Sequence, residues 1–213
     1  MLDQLPSLQI IIYTLDFVGV VACTIAATLL AQQLKFDFFG AVMISFLGSV
    51  GGGTLRDLLL NRHPIFWLHD LNYLYWIIGV SVLVQVFYDY FKRVDKMLRW
   101  FDAVGLAAFT VIGAQAAISR GMSAPIVLLM GAMTAVVGGV LRDIVCRQVP
   151  LLLQKEVYLS AALVGGVFYF ILMHFGVGLW TRDLLTLLLV LAIRACAIIY
   201  NWNLPDIAIR RRH

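Results

Sequence analysis

The chain has 213 residues, of which 62% are hydrophobic and only 13% charged, with a net charge of +4 and a mean hydropathy of +0.92. Soluble globular domains lie nearer 45–50% apolar and about 25% charged. The composition therefore excludes a water-soluble domain and describes an integral membrane protein, whose positive balance fits basic loops facing anionic lipid and calls for no nucleic acid.

A bilayer crossing needs roughly 20 apolar residues. Seven crossings are predicted, at about 8–31, 37–60, 72–91, 101–119, 124–146, 157–175 and 184–202, so that residues 1–213 form a single all-α transmembrane domain. The leader before the first span, MLDQLPS, has no Lys or Arg and carries Asp3; a cleaved signal has a basic leader, so this span is expected to stay. Asp16 lies in the first span. Ser45 and Ser49 lie in the second, which ends in Gly51, Gly52, Gly53, Thr54, Arg56 and Asp57. The fourth span opens with Asp102 and carries the small residues Ala103, Ala107, Gly113 and Ala117, which suit close helix packing. Thr134, Gly138, Gly139, Arg142 and Asp143 fall in the fifth, and Gly165 and Gly166 in the sixth, where they too are expected to pack helices. Arg194, in the seventh, is expected to snorkel to the cytoplasmic side.

Alternating the connections places Arg62, Arg120 and Arg182 on the side of the N-terminus. The other side receives Lys35, Lys92, Arg93, Lys96, Arg99, Arg147, Lys155, Arg210, Arg211 and Arg212. The basic side is the cytoplasmic one, so the N-terminus is expected outside and the C-terminus inside, in a bacterial or archaeal plasma (inner) membrane. Trp67, Tyr73 and Trp180 are expected at the outer interface, and Tyr90, Trp100 and Trp202 at the inner one.

Shifted by 86 residues, the sequence overlays itself. DFVG at 16–19 meets DAVG at 102–105, GGTLRD at 52–57 meets GGVLRD at 138–143, and Pro64 meets Pro150. Between 16–64 and 102–150 there are 13 identities in 49 positions without a gap. Apolar composition alone does not bring an Asp, a Gly-Gly, an Arg-Asp and a Pro into register. Each copy holds three spans. Three is odd, so the copies enter the bilayer from opposite sides. The expected layout is two inverted three-helix repeats, about 8–91 and 98–175, with a seventh helix at about 184–202 standing alone. Inverted repeats are a mark of transport folds, with the pathway at the repeat interface.

Glycine costs about 1 kcal/mol against alanine inside a helix. Gly51 to Gly53 and Gly138 to Gly139 are therefore expected to kink or unwind spans two and five, freeing carbonyls and N–H groups and shaping the constriction of a pore that runs between those two spans. At 1.5 Å per residue the two breaks fall ~20 Å along their spans, one in the outer half and one in the inner half. Close packing is the competing explanation of these glycines. Arg56 and Arg142 each need water, a partner or a route to the surface. Asp57 and Asp143 point ~100° away around the helix and are expected to pair with the other repeat. Asp16 and Asp102 are further ion-pathway or gating candidates, with Ser45, Ser49, Thr54 and Thr134 as lightly weighted hydroxyls.

The sequence contains no HExxH, GxSxG or Cys–His pair of catalytic spacing, and GGGTLRD lacks the lysine of a phosphate loop, so no enzyme activity is expected. Cys23, Cys146 and Cys196 show no CxxC and no paired His, so no metal site is expected either. His63, His69, His174 and His213 fall in loops or near span ends.

The doubled GG-x-L-R-D motif, in the second and fifth of seven spans, resembles that of prokaryotic members of the trimeric intracellular cation (TRIC) channel family, over roughly residues 10–202. The resemblance implies a homotrimer with a pore in each protomer, helices kinked at the glycines, and passive conduction of monovalent cations, chiefly potassium. It implies no cofactor beyond the permeant potassium ion. Val137 stands where Gly51 stands in the first motif, which points to a milder second break. The lysine that animal members use for lipid binding and gating has no counterpart at either motif. Related bacterial sequences are also described as glycine transporters. A secondary transporter of a small amino acid is thus the alternative, and a non-conducting membrane scaffold the third possibility.

Overall fold

The structure, a computed structural model, describes residues 6–91, 97–154 and 157–203. The leader ahead of Pro6, the basic residues Lys92, Arg93, Lys96, Lys155, Arg210, Arg211 and Arg212, and His213 lie outside the described residues.

The fold is all-helical. Its elements are α1 (Pro6–Gln33), α2 (Phe38–Leu59), the short α3 (Phe66–His69), α4 (Asn72–Val86), the short α5 (Tyr88–Phe91), α6 (Met97–Ser119), α7 (Ala124–Val145), α8 (Leu159–His174) and α9 (Leu179–Tyr200). One 3₁₀ turn, Leu151–Leu153, precedes α8. Residues Tyr13–Gln33 of α1, with α2, α6, α7 and α9, are long and apolar enough to cross a membrane, whereas α4 and α8 are shorter apolar helices. The third predicted span is cut short at Val86, where the short α5 takes up the rest of its length, whereas α8 fills all but the edges of the sixth.

Local chemistry sets the boundaries. Asp37 caps α2 by accepting from the Gly40 N–H at 2.6 Å. Pro125, which has no N–H to give, sits in the first turn of α7. Left-handed residues close several helices: Lys35 after α1, Asn61 after α2, Gly121 after α6, Arg147 after α7, Gly176 after α8 and Asn201 after α9.

Two antiparallel crossings organise the core. In the α1–α6 crossing, a Cβ on Gly19 would lie 3.0 Å from the Phe109 ring, and one on Gly105 would strike the Cys23 Sγ. At the α2–α7 crossing, a Cβ on Gly52 would strike the Thr134 carbonyl oxygen, and one on Gly138 the Gly48 carbonyl oxygen. In each crossing the two contacts exchange under the 86-residue offset of the sequence.

The two helices are not unwound at these glycines. Both α2 and α7 stay helical without interruption through Gly51, Gly52, Gly53, Gly138 and Gly139. The glycines are there for proximity. A Cβ on Gly51 would come to 2.7 Å from Leu141, one on Gly53 to 2.6 Å from the Phe66 ring, and one on Gly139 to 3.1 Å from the Tyr158 hydroxyl. Contact with a neighbour compensates the poor helix propensity of glycine, as small residues do throughout membrane helix packing.

Candidate functional site: a buried polar column and two charged ends

Three helices bring hydroxyls and amides together. Thr24, Thr28 and Gln32 recur every fourth residue on one face of α1, Ser45 and Ser49 on α2, and Ser81 and Gln85 on α4. Their faces converge. The Thr24 and Ser49 hydroxyls are 2.8 Å apart and those of Thr28 and Ser45 2.6 Å. Ser81 joins them, 3.2 Å from Thr28 and 3.4 Å from Ser45. Gln85 donates to Ser81 at 3.2 Å, and Gln32 donates to Gln85 at 3.4 Å. The result is a continuous polar column between α1, α2 and α4. Its hydroxyl members Thr24, Thr28, Ser45, Ser49 and Ser81 are all buried. A hydroxyl at membrane depth ordinarily bonds its own helix. These do so as well: Thr28 donates to the Thr24 carbonyl, Ser45 to Ala41 and Ser49 to Ser45.

One end of the bundle carries Asp16, Arg56 and Asp57. Arg56 Nε donates to Asp57 Oδ1 at 2.8 Å, and the other Asp57 oxygen accepts from the Phe66 N–H at 3.0 Å. Arg62 reaches Asp57 at 3.7 Å. Asp16 accepts from the Tyr73 hydroxyl at 2.7 Å. The Phe66 ring lies under the Arg56 guanidinium at 5.4 Å and meets the Tyr73 ring edge-on.

At the opposite end of the bundle the arrangement recurs with one difference. Arg142 Nε donates to Asp143 Oδ1 at 2.8 Å, and Asp143 accepts from the Leu151 N–H at 3.2 Å. Here the arginine also reaches the repeat's opening aspartate, with Arg142 Nη1 donating to Asp102 Oδ1 at 2.9 Å. A cavity of about 510 Å³ is lined here by Arg142 and Asp143 together with Leu30, Leu98, Gln148 and Gln154.

Three expectations are corrected by these contacts. Asp57 and Asp143 pair with their own neighbours, because the arginine Nε lies along the side of the stem and a carboxylate reaches it round the helix. Each carboxylate also caps the turn that follows, which fixes it in place. Tyr73 is buried at Asp16 rather than standing at an interface. Arg194 does not snorkel: it is buried, donates to the Val157 carbonyl at 2.9 Å and lies over the Tyr158 ring. Both hydroxyls at the margins stay local. Thr54 bonds the Val50 carbonyl and the Trp67 indole, and Thr134 bonds the Met130 carbonyl. Ser45 and Ser49 are the sequence candidates that the column contains. Thr24, Thr28, Gln32, Ser81 and Gln85 were missed, although their four-residue spacing in spans one and three marks a polar face.

This is a membrane-transport fold of the TRIC type. A crystal structure of the TRIC trimeric intracellular cation channel orthologue from Rhodobacter sphaeroides matches with a TM-score of 0.83 and 32% identity, covering 90% of this chain and 99% of that one. A prokaryotic TRIC channel crystallised in 0.5 M KCl matches at 0.86 and 32%, covering 92% and 100%. Among sequences, the UPF0126 inner membrane protein YadS of Escherichia coli K12 is 36% identical over 93% of this chain and 97% of its own length. A UPF0126 membrane protein of Vibrio cholerae is 34% identical over 94% and 84%. The family described as glycine transporter matches twice, over residues 13–89 and 99–174. The chain belongs to that family.

Proposed function

We propose that this chain is a passive, potassium-permeable cation channel, assembled as a homotrimer with a path inside each protomer. The observation that carries the proposal is the continuous polar column from the half-buried Gln32 and Gln85 to the buried Thr24 and Ser49. Hydroxyl and amide oxygens suit a monovalent cation passing through without a fixed charge to trap it. Likeness to TRIC channel structures supports the cation class and the trimer. The paired contacts of the α1–α6 and α2–α7 crossings support seven spans arranged as two inverted repeats and a lone last helix. Loop charges support an outer N-terminus, and the relatives' names an inner-membrane location.

The path runs beside the α2–α7 crossing rather than through it. Gly52 and Gly138 close that crossing against backbone and make it one wall. In this conformation the column is shut, since hydroxyls 2.6 Å apart leave no room for an ion. Between the column and Asp16 lie Val20 and Ile77, both buried, which form an apolar stop. Conduction requires α1 and α4 to draw away from α2. Arg56, held by Asp57 and accompanied by Asp16, sets the charge at one mouth; Gln32 and Gln85 stand at the other, and Arg142, held by Asp143 and Asp102, lies against α2 at Gly48.

Purified protein in a planar bilayer is expected to give single-channel steps whose reversal follows the potassium gradient. Thr28→Val and Ser45→Ala are expected to lower the conductance. No steps at any voltage, together with saturable glycine uptake in proteoliposomes, would overturn the proposal in favour of the transporter its family description names. A scaffold would show neither.

A further inference from the structure

A second polar site lies away from the column, among α6, α8 and α9. Asp183, in the second turn of α9, is 2% exposed. Its Oδ2 accepts from Gln115 Nε2 of α6 at 2.6 Å. Thr186 follows one turn later on the same face of α9 and is fully buried. Tyr169 of α8 is fully buried too, its hydroxyl facing the same carboxylate. Four buried oxygens there lack a partner within hydrogen-bond distance among the described residues, Asp183 Oδ1, Gln115 Oε1, Thr186 Oγ1 and Tyr169 Oη, and so does Arg182 Nε beside them. The nearest cation, Arg182, stacks on the Tyr169 ring at 4.6 Å and makes no ion pair with Asp183 among the described residues.

A buried carboxylate held by a neutral amide and faced by a tyrosine hydroxyl is costly in a membrane unless a full positive charge meets it, and Arg182, though near, makes no ion pair with it among the described residues. The oxygens gathered around it are of the kind a hard cation takes, and a single carboxylate matches one positive charge rather than two. We propose that Asp183, Gln115, Thr186 and Tyr169 form a structural binding site for a monovalent alkali cation, which ties α9 to α6 and α8. The site is independent of the column: the positions equivalent to Gln115 and Tyr169 in the first repeat are Leu29 and Leu83. It stands whether or not the column conducts.

The test uses full-length protein purified without sodium or potassium. Melting is followed as potassium or sodium chloride replaces N-methylglucamine chloride at constant ionic strength. A saturable rise in Tm is expected, lost in Asp183→Asn, with the half-saturating concentration raised about tenfold in Thr186→Val, for one ligand oxygen removed. Ser45→Ala, in the column, is expected to keep the full rise. Should Asp183→Asn not fold, Thr186→Val and crystals soaked in thallium decide. An anomalous peak beside Asp183 Oδ1 upholds the site. Density for water only, a rise identical in Thr186→Val, or stabilisation by acid with no response to the cation overturns it.

Discussion

The two repeats agree at their charged ends and differ in between. Asp16, Arg56 and Asp57 are matched by Asp102, Arg142 and Asp143, and both second aspartates accept from a backbone N–H beyond the helix. The column, by contrast, belongs to the first repeat alone. Where the first repeat has Thr28, Gln32, Ser45, Ser49, Ser81 and Gln85, the second has Ala114, Ile118, Gly131, Ala135, Val167 and Ile171. Only Thr24 has a hydroxyl partner, Thr110, which bonds its own helix. What is duplicated holds the fold together, and what is not duplicated forms the candidate path. Even the charged ends are not equal. Arg142 reaches Asp102, whereas Asp16 is held by the Tyr73 hydroxyl and makes no ion pair with Arg56 among the described residues.

The glycine crossing gives the largest expected effect, because the atoms it would displace are backbone. Gly52→Leu and Gly138→Leu each drive a side chain into a carbonyl of the facing helix. Overpacking costs about 1–3 kcal/mol when side chains can give way, and occasionally more; here neither helix can retreat without opening the core. Both variants are expected to lose the single symmetrical peak on size-exclusion chromatography. A Gly52→Leu protein that eluted and melted like wild type would show that the helices are not in contact there.

The charged ends come next. Arg142→Ala strands two buried carboxylates, and breaking such a pair costs about 3–5 kcal/mol. Arg56→Ala is expected to cost less, since Asp57 keeps Arg62 at 3.7 Å and Asp16 keeps Tyr73. Melting curves in detergent would rank them, and equal losses would contradict the asymmetry between the two ends. In the column the expected change is functional more than structural. Thr28→Val removes a hydroxyl shared with Ser45 and Ser81, worth about 1 kcal/mol of stability, and is expected to cut potassium conductance several-fold. Thr134→Val keeps the shape and lies off the path, so it is expected to conduct as wild type.

Much of this architecture could be read from the residues. Hydropathy marks the five helices long enough to cross a membrane and the shorter apolar α4 and α8, and the 86-residue offset marks which positions are equivalent. The glycine runs were legible as special but not in kind, because the same residues serve a broken helix and a close crossing. Only the facing helix decides, and it lies more than eighty residues away in the chain. Arg194 and Tyr73 were misplaced for a similar reason. Hydropathy gives depth along a span but not the side of the helix on which a partner waits. The column escaped because Thr28 and Ser81 are unremarkable singly; their meaning comes from three helices turning their polar faces inward.

The smallest effect is expected where the repeats differ in their surroundings rather than in their residues. Gly79 and Gly165 occupy equivalent positions in α4 and α8. Gly165 lies under α9, where a Cβ would strike the Val190 methyl, whereas Gly79 has no atom within 4 Å. The ninth helix thus covers a face of the second repeat that the first repeat leaves bare within the protomer. Gly165→Ala is expected to lower the melting temperature by several degrees. Gly79→Ala is expected to leave it unchanged or raise it slightly, since alanine is about 1 kcal/mol the better helix former. A marked loss of trimer in Gly79→Ala, with the monomer's melting intact, would instead mean that a neighbouring subunit presses on α4 as α9 presses on α8.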